Sequence, residues 1–255
     1  MTNQSGRLPE DLRARIAAWT AQDPDPETRR QATELLDRAL GGDAAADAEL
    51  TDAFGGRLQF GTAGLRGALG PGPNRMNRVV VGQAAAGLAR YLLDTGLAGG
   101  RVLVGFDARH RSDVFARDTA EILSAAGFDT LLTEAPTPTP VVAFGIGHFG
   151  CAAAVVVTAS HNPPQDNGYK VYLGDGSQIV PPADAEISAR IEQVSREDLR
   201  GIARSDRYRV VGSELQTAYL DRLVSLVPPE APRELSWVYT PMHGVGGALV
   251  DRLVP

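Results

Sequence analysis

Three short apolar runs set apart by helix-length stretches do most to limit what this chain can fold into. They span residues 101–106, 128–133 and 151–157, and a fourth run at 169–173 follows the third after a turn. Helices are predicted over 78–95 and 113–126, and Thr137-Pro138-Thr139-Pro140 reads as a rigid connector into another helix. Strands that alternate with helices build an α/β layer structure, because each helix carries the chain back across a sheet face. The runs at 101 and 151 are apolar throughout apart from Arg101, as central strands covered on both faces are, whereas Tyr169-Lys170-Val171-Tyr172 alternates and reads as antiparallel. The expected fold class is α/β: a three-layer α/β/α sandwich with a mostly parallel mixed sheet.

The flanks read differently. Residues 1–56 form an N-terminal helical extension. Within it Asp25-Pro26-Glu27 supplies an N-cap, an N1 proline and an acidic first turn, and Leu35, Leu36 and Leu40 form one stripe before Gly41-Gly42. The α/β unit is placed at 57–212 and a connecting helix and linker at 213–232, with Ser213 as N-cap and Pro228-Pro229-Glu230-Ala231-Pro232 as a stretch no helix can cross. Residues 233–255 read as the start of a second α/β domain: a strand at Trp237-Val238-Tyr239-Thr240, a glycine turn over 244–247, and the opening of a helix.

Composition removes several classes of function. The net charge of −6 and the lack of any basic run exclude a nucleic-acid surface, since a phosphate backbone requires clustered cations. No apolar stretch approaches the roughly 20 residues of a spanning helix, and the polar N-terminus has no signal-peptide core, so no membrane association and a cytoplasmic location are expected. Cys151 is the only cysteine and sits in an apolar run, which rules out a disulfide framework or a cysteine zinc site and predicts a buried structural thiol.

The chemistry concentrates after the third run. Thr158-Ala159-Ser160-His161-Asn162-Pro163 places a hydroxyl and an imidazole at a strand end, and Asp166-Asn167-Gly168-Tyr169-Lys170 adds a turn and the only lysine of the protein. Every other cation is arginine, which makes Lys170 a candidate for work a guanidinium does not do, exchanging a proton or fitting as a compact point charge, against the plain alternative of a chance surface lysine. Phe60-Gly61-Thr62-Ala63-Gly64-Leu65-Arg66-Gly67 offers backbone amides and an arginine fork to an anion, although most glycine-rich loops are only turns. Phe106-Asp107-Ala108-Arg109-His110-Arg111-Ser112 follows a buried strand, where α/β sheets place ligands, with Ser112 as N-cap of the next helix. Asp107 and Arg109 equally well form a loop clasp. Asp23-Pro24-Asp25-Pro26-Glu27 mimics a metal loop but reads as cap and turn. His110, His148, His161 and His243 lack zinc spacing, and no G-x-S-x-G elbow surrounds Ser160, so a hydrolase fits poorly.

These motifs, in this order and followed by Tyr239-Thr240-Pro241-Met242-His243-Gly244-Val245-Gly246, resemble the α-D-phosphohexomutases, in their phosphoglucomutase/phosphopentomutase/phosphomannomutase branch. The resemblance covers the chain from about residue 58 onward. It implies an intramolecular phosphotransferase that moves a phosphoryl group between positions of a hexose or pentose phosphate through a phosphoserine and a bisphosphate intermediate. Ser160 matches the phosphoryl carrier, His161 and Lys170 match positions near the reacting hydroxyl, and Thr62, Arg66 and Arg109 fall to phosphate or substrate binding. The implied cofactors are Mg²⁺, bound on the Ser160 side only through the serine's phosphate, and a sugar 1,6-bisphosphate activator. The implied partner is a sugar phosphate, with its identity and the oligomeric state left open. The family's D-x-D-x-D-R metal loop and its sugar-reading and phosphate-clamping loops do not occur here. The chain is therefore expected to be the N-terminal portion of a mutase, inactive alone. The alternatives are a truncated, non-catalytic phosphate-binding or interaction module and a phosphatase-like domain.

Overall fold

The computed structural model describes residues 8–232, 234 and 236–254. Three helices open the chain: α1 (Glu10–Gln22), α2 (Pro26–Leu40) and α3 (Ala44–Gly55). The Asp25 carboxylate accepts from the Glu27 amide at 3.0 Å ahead of Pro26, as the sequence predicts, and Asp43 caps α3 in the same way. Leu12, Ile16, Trp19, Leu35, Leu50 and Phe54 bury together against Val79 and Leu199 of the following unit. Leu40 is exposed. It lies five residues, hence about 140° around the helix, from Leu35, which takes it off the buried stripe.

The following elements are β1 (Leu65–Ala68), α4 (Arg78–Asp94), β2 (Arg101–Phe106), α5 (Ser112–Ala125), β3 (Asp129–Thr133), α6 (Thr139–Phe149), β4 (Ala153–Val157), β5 (Asp166–Leu173), α7 (Ala183–Val194), β6 (Arg209–Val211), α8 (Ser213–Ser225) and α9 (Gly247–Leu253). Six strands form one mixed sheet in the order β1-β5-β4-β2-β3-β6. β2, β3, β4 and β6 are parallel, and β5 runs antiparallel to both β4 and β1. Alternate residues feed two cores. Val102, Val104, Ala153, Val155 and Val157 face α4, α5 and α7, while Leu103, Leu131, Ala154 and Val156 face α6 and α8. Both faces of β2 and β4 are therefore covered, which is why they read as unbroken apolar runs, and the three-layer α/β/α sandwich is as expected.

Several local expectations do not hold. Cys151 precedes β4, buried against the Gly145 carbonyl at 3.9 Å. β5 starts three residues before its apolar run because Ala68 pairs with Asp166, on a strand the sequence did not announce. Ser112 does not cap α5: its hydroxyl donates to Asp107 Oδ1 at 2.8 Å, and the cap position is Arg111 in a left-handed conformation (φ +68°). Ser213 is the first residue of α8 and makes no side-chain cap. Residues 237–240 form no strand, and Val238 is 98% exposed. Strand propensity is realised only against a partner, and no described strand lies beside this segment. The helix expected after the glycine turn is present as α9, whose Arg252 donates to Gln216 and Thr217 of α8. Among the described residues no helix is long and apolar enough to cross a membrane.

Candidate active site

The topology singles out one crevice. From β2 the chain moves through α5 to β3 on one side, then crosses back through α6 to β4 on the other side of β2. The two connecting helices cover opposite faces, so the loops leaving the carboxyl ends of β2 and β4 separate and leave a cleft, the usual ligand position of such sheets. These loops carry Asp107-Ala108-Arg109 and Thr158-Ala159-Ser160.

The two loops are laced together. The Asp107 amide donates to the Val157 carbonyl at 3.1 Å. The Asp107 carboxylate accepts from the Thr158 hydroxyl at 2.6 Å, the Ser112 hydroxyl at 2.8 Å and the Arg109 amide at 3.0 Å. Asn167 donates to Ser112 Oγ and to the His110 carbonyl while accepting from the Gly168 amide, so β5 is tied into the same network. Thr158 Oγ accepts from the Ser160 amide at 2.9 Å, and Ser160 sits at φ +58°. A left-handed conformation costs a non-glycine residue roughly 1–2 kcal/mol, which these bonds offset. The result is a buried Thr158 and Ala159 followed by an exposed Ser160 at the rim.

Arg66 lies opposite Gly168 in the β1–β5 ladder and Lys170 is two residues further along, so both project from the same sheet face. Lys170 is buried, and its pKa falls below the ordinary lysine value because of burial first and the Arg66 charge second, with Asp107 opposing. The nearby Arg57, Arg75 and Arg78 each pair with a carboxylate, whereas Arg66 and Lys170 form no ion pair among the described residues, and Arg66 Nε is buried without a partner. Arg66 and Lys170 thus carry two positive charges without a carboxylate partner among the described residues, in a protein of net charge −6. Thr62 is exposed in a turn closed by the Gly64 amide on the Gly61 carbonyl at 2.7 Å, and its own carbonyl accepts from Gln178 at 2.8 Å. Gly64 permits this turn: its φ is +74°, and a Cβ there would fall 1.9 Å from the Tyr169 carbonyl oxygen.

A cavity of about 530 Å³ opens beside Ser160, bounded by Asp107, Arg109, His110, Thr158 and Asn162 and closed from the far side by His243. Of the residues singled out from sequence, Ser160 and Arg109 line it. Arg66, Lys170, Thr62 and the exposed His161 do not. Arg109 has all four Nη hydrogens engaged: Nη1 donates to the carbonyls of Pro163 (2.8 Å) and Asp166 (3.0 Å), Nη2 to those of Ser160 (2.8 Å) and Asn162 (2.7 Å), while Nε makes only an ionic contact with Asp107 at 3.6 Å. The clasp that the sequence left open is thus present, extended onto the serine loop. Sequence reasoning gave Asp107 only as half of that clasp and assigned no individual role to Thr158 or Asn167, which the network ties to the serine loop. The Asp23–Glu27 segment is cap and turn as expected, with Asp23 accepting from Asp25 and Thr28 and with Asp25 ion-paired to Arg111. No three His, Cys, Asp or Glu side chains among the described residues converge as a metal site, and Asp107 already has its oxygens filled, so these residues do not provide a Mg²⁺ ligand set.

The fold is a doubly wound α/β layer with a strained serine at its switch point and, among the described residues, two cations without carboxylate partners on the adjoining β5–β1 ladder. Residues 57–198 match the family model for phosphoglucomutase/phosphomannomutase, alpha/beta/alpha domain I. The chain belongs to the phosphoglucomutase/phosphomannomutase family, in its N-terminal part. It is 49% identical over 180 residues, covering 69% of this chain and 37% of the relative, to the "Probable phosphomannomutase" of Haemophilus influenzae. It is 34% identical over 265 aligned positions, covering 97% of this chain and 42% of the relative, to the phosphoribomutase of Saccharomyces cerevisiae. Among solved structures it is similar to a phosphoglucomutase/phosphomannomutase family protein from Burkholderia thailandensis, with a TM-score of 0.56 and 26% identity over 77% of this chain and 40% of that one. The chain spans about two fifths of the length of these relatives.

Proposed function

We propose that this chain is the phosphoryl-carrying part of a phosphosugar mutase, with Ser160 Oγ as the group that accepts and returns the phosphoryl. The observation that carries this reading is an exposed, conformationally held Ser160 in the loop after β4 together with the uncompensated Arg66 and Lys170 on the adjoining β5–β1 ladder. In the transfer, Ser160 Oγ forms a bond to phosphorus as the bond from phosphorus to a sugar oxygen breaks, and the serine proton passes to that oxygen. Lys170 is the candidate proton carrier because its lowered pKa makes the neutral amine more accessible, with the exposed imidazole of His161 as the second. Arg66 and the amides of the loop around Thr62 hold the transferred group, whose charge is close to −2. Transfer back to another position of the same sugar completes the mutase cycle for a hexose or pentose phosphate. We assign residues 57–212 to the phosphoserine domain, 1–56 to its helical extension, 213–232 to a connector and 233–255 to the opening of the next domain. Since these residues do not form a metal site, turnover is not expected from them alone.

The test is intact-mass and peptide analysis after incubation with glucose 1,6-bisphosphate and Mg²⁺. One phosphoryl group on Ser160, absent from Ser160→Ala, is expected. Equal labelling of Ser160→Ala, or a folded parent chain that takes up no phosphate, overturns the assignment.

A further inference from the structure

The geometry points to Arg109 as a positioning residue that holds the Ser160 turn, and not as a ligand of the transferred phosphate. The inference rests on Ser160 being the phosphoryl acceptor, but its structural argument is separate. An arginine has five N–H donors. Here four meet the carbonyls of Ser160, Asn162, Pro163 and Asp166, and the fifth faces Asp107. The four Nη hydrogens are therefore taken by the loop's own backbone, and Nε, not hydrogen-bonded at 3.6 Å, is turned toward a carboxylate and not toward a phosphate.

The loop needs this support because it holds itself poorly. Pro163 and Pro164 lack amide donors, and the hydrogen bonds the stretch makes within itself are Asn162 to Ala159, Asp166 to Pro163 and the Asn162 side chain to Asp166. The guanidinium therefore supplies more bonds to residues 160–166 than they make among themselves. Its planar fork reaches several carbonyls at once, which an ammonium on a flexible stem does not.

Asp107 makes the arrangement specific. Its carboxylate faces the Arg109 guanidinium and also accepts from the Thr158 hydroxyl, whose oxygen accepts from the Ser160 amide. Both polar backbone groups of Ser160 are thus fixed by one network that starts at the end of β2: the amide through Thr158 and the carbonyl through Arg109. With both peptide planes held, Cα and Cβ of Ser160 have one orientation, and the nucleophile is aimed before any ligand arrives.

The experiment follows the rate of Ser160 phosphorylation against glucose 1,6-bisphosphate concentration for the parent, Arg109→Lys and Asp107→Asn, together with hydrogen exchange of the 158–168 peptide. A positioning role predicts a maximal rate lower by about 100-fold in Arg109→Lys, as misplacement by about 1 Å produces. The half-saturating concentration stays within about twofold, since no ligand contact is lost. Asp107→Asn, which keeps the side-chain shape, shifts the rate in the same direction by a smaller factor. Exchange in residues 160–166 quickens in Arg109→Lys while the sheet amides stay protected, which also rules out general unfolding. A half-saturating concentration raised tenfold or more with the rate retained makes Arg109 a phosphate ligand and overturns the inference, as does an unchanged rate. If the parent itself takes no phosphate, the function assignment fails, and the exchange measurement still decides this one: unchanged exchange in Arg109→Lys overturns it.

Discussion

Gly168→Ala and Gly147→Ala, the same chemical change at two places, are expected to move stability in opposite directions. Gly168 lies in β5 where β1 and the serine loop close on it from two sides. A Cβ there would sit 2.6 Å from the Thr158 carbonyl oxygen and 2.7 Å from that of Leu65, whereas real contacts stay above 3.0 Å. Both obstacles are backbone, and both are held: Thr158 donates its amide to the Gly168 carbonyl at 3.1 Å, and Leu65 is paired with Tyr169. Relief requires each gap to open by at least about 0.3–0.4 Å, which pulls β1 and Arg66 away from β5 or lifts Thr158 off it. Such overpacking costs about 1–3 kcal/mol, and weakening the Thr158 bond adds about 1, so a loss of about 2–4 kcal/mol is expected. Gly147 is exposed in α6 with nothing within 4 Å of an added Cβ, and there the alanine gains helix propensity worth about 0.5–1 kcal/mol. Urea unfolding at neutral pH measures both, and amide exchange at Thr158 reports the local damage. A Gly168→Ala chain within about 0.5 kcal/mol of the parent, or one that leaves Thr158 exchange unchanged, refutes the claim that close backbone approach holds Arg66 beside the serine loop.

Burial raises the Asp23 carboxyl to about 6 from 3.8, outweighing the Thr28 hydrogen bond and the charges of Arg29, Arg78 and Arg111. Its protonated form therefore favours the folded state, with a contribution complete below pH 3.8 and lost as pH rises through 6. The difference of 6 − 3.8 units corresponds to about 3 kcal/mol, so stability of the parent minus that of Asp23→Asn should grow as pH falls from 7 to 4. Parallel urea midpoints for the two proteins across that range would contradict this. Burial likewise pushes the Cys151 thiol up to about 11, so at pH 8 it should react with a disulfide reagent orders of magnitude more slowly in the native protein than in denaturant. Immediate stoichiometric labelling of the native chain would show that Cys151 is not buried.

What was legible in the sequence is what local pattern determines. β2 and β4 stood out because coverage on both faces forces every residue but Arg101, at the open end of β2, to be apolar. The Asp25 cap and α2 stood out because cap, proline and acidic turn are adjacent in sequence. β1 and β6 stayed hidden because four and three residues carry no periodicity, and they exist only because β5 and β3 offer an edge to pair with. The reverse error, a strand expected at 237–240, comes from the same rule: β-rich residues without a partner remain extended and exposed. At the site, Ser160, Arg66 and Lys170 could be picked out by residue type. The commitment of Arg109 could not, because its acceptors are backbone carbonyls 51–57 residues away and carry no side-chain signature. Ser112 shows the same limit, since a capping serine and a serine that donates to Asp107 are indistinguishable until the strand end places the acid within reach.

A carboxylate beside the serine proposed to carry phosphate requires an explanation, since like charges near a phosphoserine would oppose its formation. Asp107 has its charge answered locally. One oxygen accepts from the Ser112 hydroxyl and the Arg109 amide, the other from the Thr158 hydroxyl, and the Arg109 guanidinium lies alongside at 3.6 Å. The Asp107 charge is thus answered by Arg109, and the two cations left without a carboxylate partner among the described residues are Arg66 and Lys170, one unit each. That sum of about +2 matches the charge of −1.5 to −2 on a phosphorylated serine. Before the phosphoryl arrives, the two cations repel, which is part of why the Lys170 pKa is lowered. Once the phosphoryl is present, the same lysine gains an opposite charge and its protonated form becomes favoured. The shift has the direction a proton carrier needs: Lys170 is readier to take a proton as the serine hydroxyl becomes a phosphate ester, and readier to release one when the phosphoryl leaves. Arg109 could not stand in for it, because its guanidinium is committed to four loop carbonyls and its charge is balanced by Asp107.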